Sequence, residues 1–227
     1  MNLLIKGRWD MRNKKKLSLL TVVFIIISVF AGCRNNEAAK INKNMDEIIE
    51  EIKKSEYGGS FTDLIYFSKD KAILRGAVGI MVYDLEKQEI SRALDLKDID
   101  MNNIQGLETT FYGVDNTGSK IIMFNTADSG AEIKNKNTYL YDIEKDKLDI
   151  VDNREFEDRY VGIKEGDYDV YRKYSEKYSP MEFGSYYGEI DDNTLCFLGH
   201  DRSDKKSPLK LLIVNKVNNE EKLYDIF

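Results

Sequence analysis

The hydrophobic positions of this chain change their period twice, and each change marks a different kind of segment. Leu17 to Val29 is an unbroken apolar run. Ile41, Met45, Ile48, Ile49 and Ile52 then recur on one arc at helical spacing, with Lys and Glu opposite, which predicts an amphipathic helix ended by Gly58-Gly59. From Phe61 onward short β-type runs alternate with turn residues. They fall into three stretches of four strands each. The first holds Phe61–Phe67, Ala72–Gly76, Gly79–Tyr83 and Glu89–Leu94; the second Glu108–Val114, Lys120–Phe124, Thr138–Ile143 and Lys147–Val151; the third Ser185–Ile190, Thr194–Gly199, Leu209–Val214 and Glu221–Ile226. Turn residues separate the first two strands of each stretch: Ser68-Lys69-Asp70, Asp115-Asn116-Thr117-Gly118 and Asp191-Asp192-Asn193. Tyr83-Asp84-Leu85-Glu86-Lys87 and Tyr141-Asp142-Ile143-Glu144-Lys145 echo one another at the next junction but one. A repeat of four antiparallel strands is the sequence mark of propeller blades. The expected fold is therefore mostly β, antiparallel and propeller-like, with about three four-stranded units. Three units fall short of an ordinary ring, so a partial propeller, a compact three-unit assembly and closure with a second copy, a homo-oligomer, all stay open.

One insertion breaks the repeat, from Glu155 to Phe183. Within it Tyr168, Tyr171, Tyr174 and Tyr178 lie on one arc at helical spacing, and Ser179-Pro180 ends the pattern. Tyrosine offers large contact area at low entropic cost. Two readings follow for these four residues: a face that binds a protein partner or stacks on a glycan, or a cover laid over the sheets.

The start of the chain carries an address. Arg12, Lys14, Lys15 and Lys16 precede the apolar run, and Phe30-Ala31-Gly32-Cys33 closes it, the pattern of a secretory signal. This ending resembles the lipobox of bacterial lipoproteins, with Phe30 where Leu is usual. The resemblance implies that Phe30, Ala31 and Gly32 are read by the signal peptidase and that Cys33 becomes the acylated mature N-terminus. The alternative is an uncleaved anchor, and the charge-free run Leu17–Cys33 only reaches the short edge of the roughly 17–25 residues a spanning helix needs. Two acyl chains, at about 0.8 kcal/mol per buried methylene, hold a protein stably on a membrane. Residues 1–10 precede a complete signal, and Lys6-Gly7-Arg8-Trp9 is encodable by a purine-rich run like a ribosome-binding site, so translation is expected to begin at Met11. The expected organisation is then a non-native extension at 1–10, a signal peptide at 11–32, an acylated tether with the amphipathic helix at 33–60, and the β domain at 61–227.

Charge narrows the partners. The chain has 34 Lys and Arg against 40 Asp and Glu, a net charge of −6. Six of the former and one of the latter lie before Cys33, so the exported part is more acidic still, which disfavours nucleic acid as a partner. The abundance of Lys, Ile, Asn, Asp and Tyr with only two Pro suggests an AT-rich genome, that of a Gram-positive bacterium. With Cys33 acylated, Cys196 has no intramolecular partner, and the domain must hold together by packing.

Candidate chemistry is sparse. The chain has no G-x-G-x-x-G after a strand and no P-loop string. Cys196 and His200, the only His, share a strand face but stand about 13 Å apart at 3.3 Å per residue, beyond the roughly 3 Å reach of a catalytic dyad. Asp98-Ile99-Asp100-Met101-Asn102 opens like a calcium loop, yet Asn103 stands where Gly is needed and Thr109 where the bidentate Glu belongs; it reads as a solvated connector. No metal or cofactor is expected.

The run YDLEKQEISRALDLKDIDMNNIQGLETTFYGVDNTGSKIIMF from Tyr83, continued by NTYLYDIEKDKLDI, resembles extracellular repeat domains of clostridial proteins, some of them fused to antirepressor-type membrane metallopeptidases. The resemblance spans Gly59 to Asn153 and implies a sensing or binding module. The peptidase is not expected here, since one His cannot supply a two-His zinc motif. The expected function is that of a non-enzymatic, sensor-like lipoprotein on the outer membrane face, binding an envelope protein or glycan. The alternatives are an envelope polymer hydrolase with converging carboxylates and a structural spacer.

Overall fold

The computed structural model describes residues 44–54, 62–76, 78–102, 108–127, 132–152, 162–201, 203–204 and 208–227. The segment expected to be a signal, with Phe30, Ala31, Gly32 and the expected acylation site Cys33, lies outside the described residues, as do Ile41, Gly58-Gly59 and the first part of the insertion. What is described is mostly β and wholly antiparallel, with two α-helices.

The first helix, α1 (Met45–Lys54), has Asp46 and Glu47 in its first turn and two Lys in its last, both favourable to the helix dipole. Ile48 and Ile52 are buried, as the helical period requires. The first sheet is a meander of β1 (Asp63–Phe67), β2 (Lys71–Arg75), β3 (Gly79–Asp84) and β4 (Glu89–Asp95). The second is a meander of β5 (Glu108–Val114), β6 (Lys120–Ala127), β7 (Thr138–Asp142) and β8 (Lys147–Val151). The third runs β9 (Ile163–Glu165), β10 (Glu182–Asp191), β11 (Thr194–His200), β12 (Leu209–Asn215) and β13 (Glu221–Asp225), with α2 (Tyr168–Lys177) between β9 and β10. The twelve strands expected from the sequence are all present within a few residues. The insertion differs from expectation in contributing β9, which pairs with β10 as a fifth strand. Its end also shifts, because Phe183 already belongs to β10.

Three local features recur at matching places and show that the sheets repeat one unit. Each third strand ends in Asp84, Asp142 or Asn215, whose Oδ1 accepts backbone N–H groups two or three residues on. Four residues later stands a residue of positive φ: Gln88 (58°), Asp146 (50°) and Asn219 (55°). The residue just past the third strand donates its N–H to the turn before the second strand, as Leu85 to Asp70 O, Ile143 to Ser119 O and Lys216 to Asn193 O, at 2.9, 2.9 and 2.7 Å. Asx-type turns of this kind serve the backbone groups that a tight reversal leaves unpaired.

The units stack face to face, and the first sheet lies in the middle. Met81 and Tyr83 of β3 pack with Cys196, Leu198 and Leu211 of the third sheet. Ile80 and Val82, on the opposite face, pack with Ile121, Met123 and Tyr139 of the second. Burial on both faces explains why β3 is apolar from Gly79 to Tyr83 instead of alternating. Equivalent residues make equivalent contacts: Tyr139 and Tyr141 of β7 meet the first sheet, and Leu212 and Val214 of β12 meet α2. A bulge at Ile65 makes the sandwich possible. Leu64 opposes Leu74 and Tyr66 opposes Ile73, so one extra residue turns Leu64 toward the third sheet and Tyr66 toward the second. Among the described residues no apolar cluster joins the second sheet to the third.

The segment from Lys97 to Met101 is not the solvated connector that its carboxylates suggest. It forms a 3-10 turn in which Ile99 and Met101 plug the core between the first two sheets, at 6% and 1% exposure, while Asp98 and Asp100 face outward. The alternation of acidic and apolar residues marks two sides of one turn.

Candidate functional site

The insertion helix and the sheet face beneath it hold all four candidate tyrosines. Asp167, in an extended conformation, caps α2 by accepting the Asp169 N–H at 3.0 Å. Ser175 Oγ accepts the Phe183 N–H at 3.1 Å, which ties the helix to the start of β10. Below it Phe197 is fully buried and gathers three rings: Tyr174 at 5.0 Å, Tyr187 at 5.6 Å and Phe183 at 6.2 Å between centroids. Gly199 leaves room for this cluster, because a Cβ there would stand 2.6 Å from the Phe183 ring.

The helix separates its tyrosines into two groups. Tyr174 is buried, and its hydroxyl pKa is raised, first by burial and then by Glu221. Tyr178 packs edge-on against Phe183 and donates to Glu221 Oε2 at 2.5 Å, while Lys177 Nζ reaches the same oxygen at 2.6 Å. Burial and the Glu221 carboxylate push the Tyr178 hydroxyl up to about 12. The bonds from Lys177 and Tyr178 hold Glu221 below the usual carboxylate range. These contacts clamp the end of α2 to β13. Tyr168, by contrast, is 64% exposed. It meets the half-buried Tyr171 edge-to-face at 5.7 Å, and the Arg172 guanidinium lies 5.6 Å from its ring. Arg172 is itself held by Asp169 at 2.8 Å and Glu176 at 3.8 Å. The outward surface is thus an aromatic pair bracketed by an oriented guanidinium, a combination that accepts aromatic or sugar groups.

Arg172 and its two carboxylates were not singled out by the tyrosine spacing. Their spacing of three and four residues is the signal that places them on one helix face.

The other candidates are structural. Cys196 is fully buried between the first and third sheets, and burial drives its thiol pKa well up. His200, buried at the end of β11, stands four strand residues away. Asp191 caps its hairpin by accepting the Asn193 N–H at 2.8 Å. Every described carboxyl whose pKa moves is moved down, as at Asp142, where the Lys145 ammonium and then its N–H donate, at Asp84, where the Lys87 N–H donates, and at Asp201, where the Ser203 hydroxyl donates. Among the described residues no group of three or more His, Cys, Asp or Glu is placed to hold a metal, and no helix is long and apolar enough to cross a membrane.

Compared with protein-family models, with curated proteins and with solved structures, the chain finds no match.

Proposed function

We propose that this protein is an exported, lipid-anchored binding module of a Gram-positive envelope, acylated at Cys33, whose three blade-like units form a propeller-like scaffold. The unit repeat supports the blade reading: the same third-strand face is used three times, on the first sheet, on the third sheet and on α2. On this reading α2 caps the stack where a further blade would otherwise sit. The observation that carries a binding function is the Tyr168–Tyr171–Arg172 surface. A 64% exposed tyrosine held by a neighbouring ring and a guanidinium offers a preformed contact face that covers no sheet. It suits an envelope protein or glycan. The lowered carboxyls Asp84, Asp115 and Asp142 are turn caps and Glu221 is the α2 clamp, whereas a polymer hydrolase needs one carboxyl raised to act as acid.

The test is recovery from membranes of cells expressing the acylated protein, after crosslinking, with wild type against Tyr168→Ala and Arg172→Ala. A specific partner or polymer recovered by wild type and lost at least tenfold in both variants supports the proposal. Equal recovery in all three, or degradation of an envelope polymer by the purified chain, overturns it. Metabolic labelling with a fatty-acid analogue tests the anchor, since label retained in Cys33→Ser refutes acylation there.

A further inference from the structure

A second site lies where the first and second sheets meet, at the ends of their equivalent turns. A crevice of about 360 Å³ opens there between β2–β4 and the β7–β8 turn, within the roughly 300–1,000 Å³ range of small-molecule sites. Val82 is part of its lining, and Lys71, Ser91 and Arg92 bring donors to it. Lys71 shares a strand face with Ile73, and Arg92 stands opposite Val82, so both basic residues are on the side of the first sheet that faces the second. They sit on strands two spacings apart, about 10 Å at 4.8 Å per spacing, and both side chains are long enough to converge on one group between them.

Their partners compensate this positive charge only in part. The Lys71 side chain is only 19% exposed, yet its ammonium donates to the neutral Gly118 O at 3.3 Å, and its carboxylate neighbour Asp70 is 4.0 Å away. Arg92 is half-buried and donates to two more carbonyls, Ile143 O at 3.3 Å and Ser91 O at 2.7 Å; it has no ion pair among the described residues. Two partly desolvated cations bonded to carbonyls favour an incoming oxyanion, because a charged acceptor gives the stronger hydrogen bond. The rim decides which oxyanion. Asp70, Asp84, Glu86 and Glu144 also line the crevice; Asp70 stands 4.0 Å from Lys71 and Asp84 3.3 Å from Lys87, while Glu86 and Glu144 are exposed and have no ion pair among the described residues. A phosphate dianion meets that ring of carboxylates unfavourably, whereas a single carboxylate carrying its own ammonium group satisfies both floor and rim.

We infer that this crevice binds a small zwitterion of amino-acid type, its carboxylate on Lys71 and Arg92 and its ammonium toward Glu86 and Glu144. The crevice shares no residue with the α2 surface, so either reading can fail without the other. Isothermal titration of the full-length chain with each of the common amino acids, with acetate and with inorganic phosphate tests it. The expected result is saturable binding of at least one amino acid, with acetate and phosphate at least tenfold weaker. Arg92→Gln is expected to lose at least tenfold in affinity, and Glu144→Gln about threefold or more for the amino acid while leaving acetate unweakened. Far-UV circular dichroism checks the fold of each variant. If Arg92→Gln does not fold, the exposed Glu144→Gln decides alone. No saturable binding of any amino acid, tighter binding of phosphate, or affinity unchanged in the deciding variant overturns the inference.

Discussion

Replacing Gly118 with Ala tests how the first two units are joined. Gly118 closes the β5–β6 turn at φ = 63°, a conformation that costs an L-residue roughly 1–2 kcal/mol. The turn also presses on the neighbouring sheet: a Cβ at this position overlaps Tyr66 Cε1 and stands 2.5 Å from Cζ and 2.9 Å from Cδ1. Tyr66 is 4% exposed and cannot swing away, since it is seated in the core between the sheets. Forcing an extra methyl into such a place costs roughly 1–3 kcal/mol. Together the two terms predict a loss of about 2–5 kcal/mol, a large part of the roughly 5–15 kcal/mol of an ordinary domain. With a urea slope of about 2 kcal/mol per molar, a loss of 3 kcal/mol lowers the midpoint by about 1.5 M. Equilibrium urea unfolding of Gly118→Ala, Tyr66→Leu and the double variant separates the terms. In the Tyr66→Leu background the ring is gone, so Gly118→Ala is expected to cost only the backbone part, about 1–2 kcal/mol. A loss below about 0.5 kcal/mol, or an equal loss with and without the ring, refutes the argument that turn and sheet are in contact.

The repeated turns give a second prediction. Gln88 holds φ = 58° without the local hydrogen bonding that eases Asn or Asp into that region, so Gln88→Gly is expected to stabilise by about 0.5–1 kcal/mol, and Asn219→Gly by close to nothing. Urea midpoints compare them, and equal effects would refute the ordering. The α2 clamp gives a pH dependence. The Tyr178 pKa rises from 10.0 in the unfolded chain to about 12 in the fold, so its contribution is complete below pH 10 and is lost as pH rises from 10 toward 12. Glu221 is lowered, so its contribution is present above its ordinary value of 4.5 and is lost as pH falls through the folded pKa. Carbon-13 tyrosine resonances are expected to show Tyr178 titrating near its raised value of about 12, and Glu221→Gln is expected to bring it back down; no change in that variant would remove Glu221 as a cause. Finally, Ile52→Ala empties a site with 1% exposure and is expected to cost about 2–5 kcal/mol by thermal or urea unfolding, while the exposed Met45→Ala costs under about 0.5 kcal/mol. Similar losses would show that α1 is not seated through Ile48 and Ile52.

Element identity was largely local information. The period-two runs, the Asp and Asn turns and the helical arc of α1 each depend on neighbours within a few residues, and β11 and β12 stand within a residue or so of where their apolar runs place them. The echo of Tyr83–Lys87 in Tyr141–Lys145 marked the repeat because both must satisfy the same backbone groups in the same reversal. β9 was missed because three residues, Ile163–Glu165, carry too little pattern to read without the partner that pairs with them.

The candidate site was legible as a stripe but not as a surface. Four tyrosines at helical spacing determine that they share a side of α2, yet only the position of Phe197 and Glu221 decides that Tyr174 and Tyr178 face inward and Tyr168 outward. The crevice at Lys71 and Arg92 left no trace in sequence, because its walls come from two units that only the tertiary packing brings together. The proposed address at Phe30–Cys33 belongs to the opposite extreme, an expectation that rests on the order of residues alone. By itself, then, the sequence determined strands, turns and the repeat, which depend on local backbone and side-chain chemistry. The tertiary structure decided which faces meet, because apolar strand faces are interchangeable until bulges, close-packed glycines and the covering helix select among them.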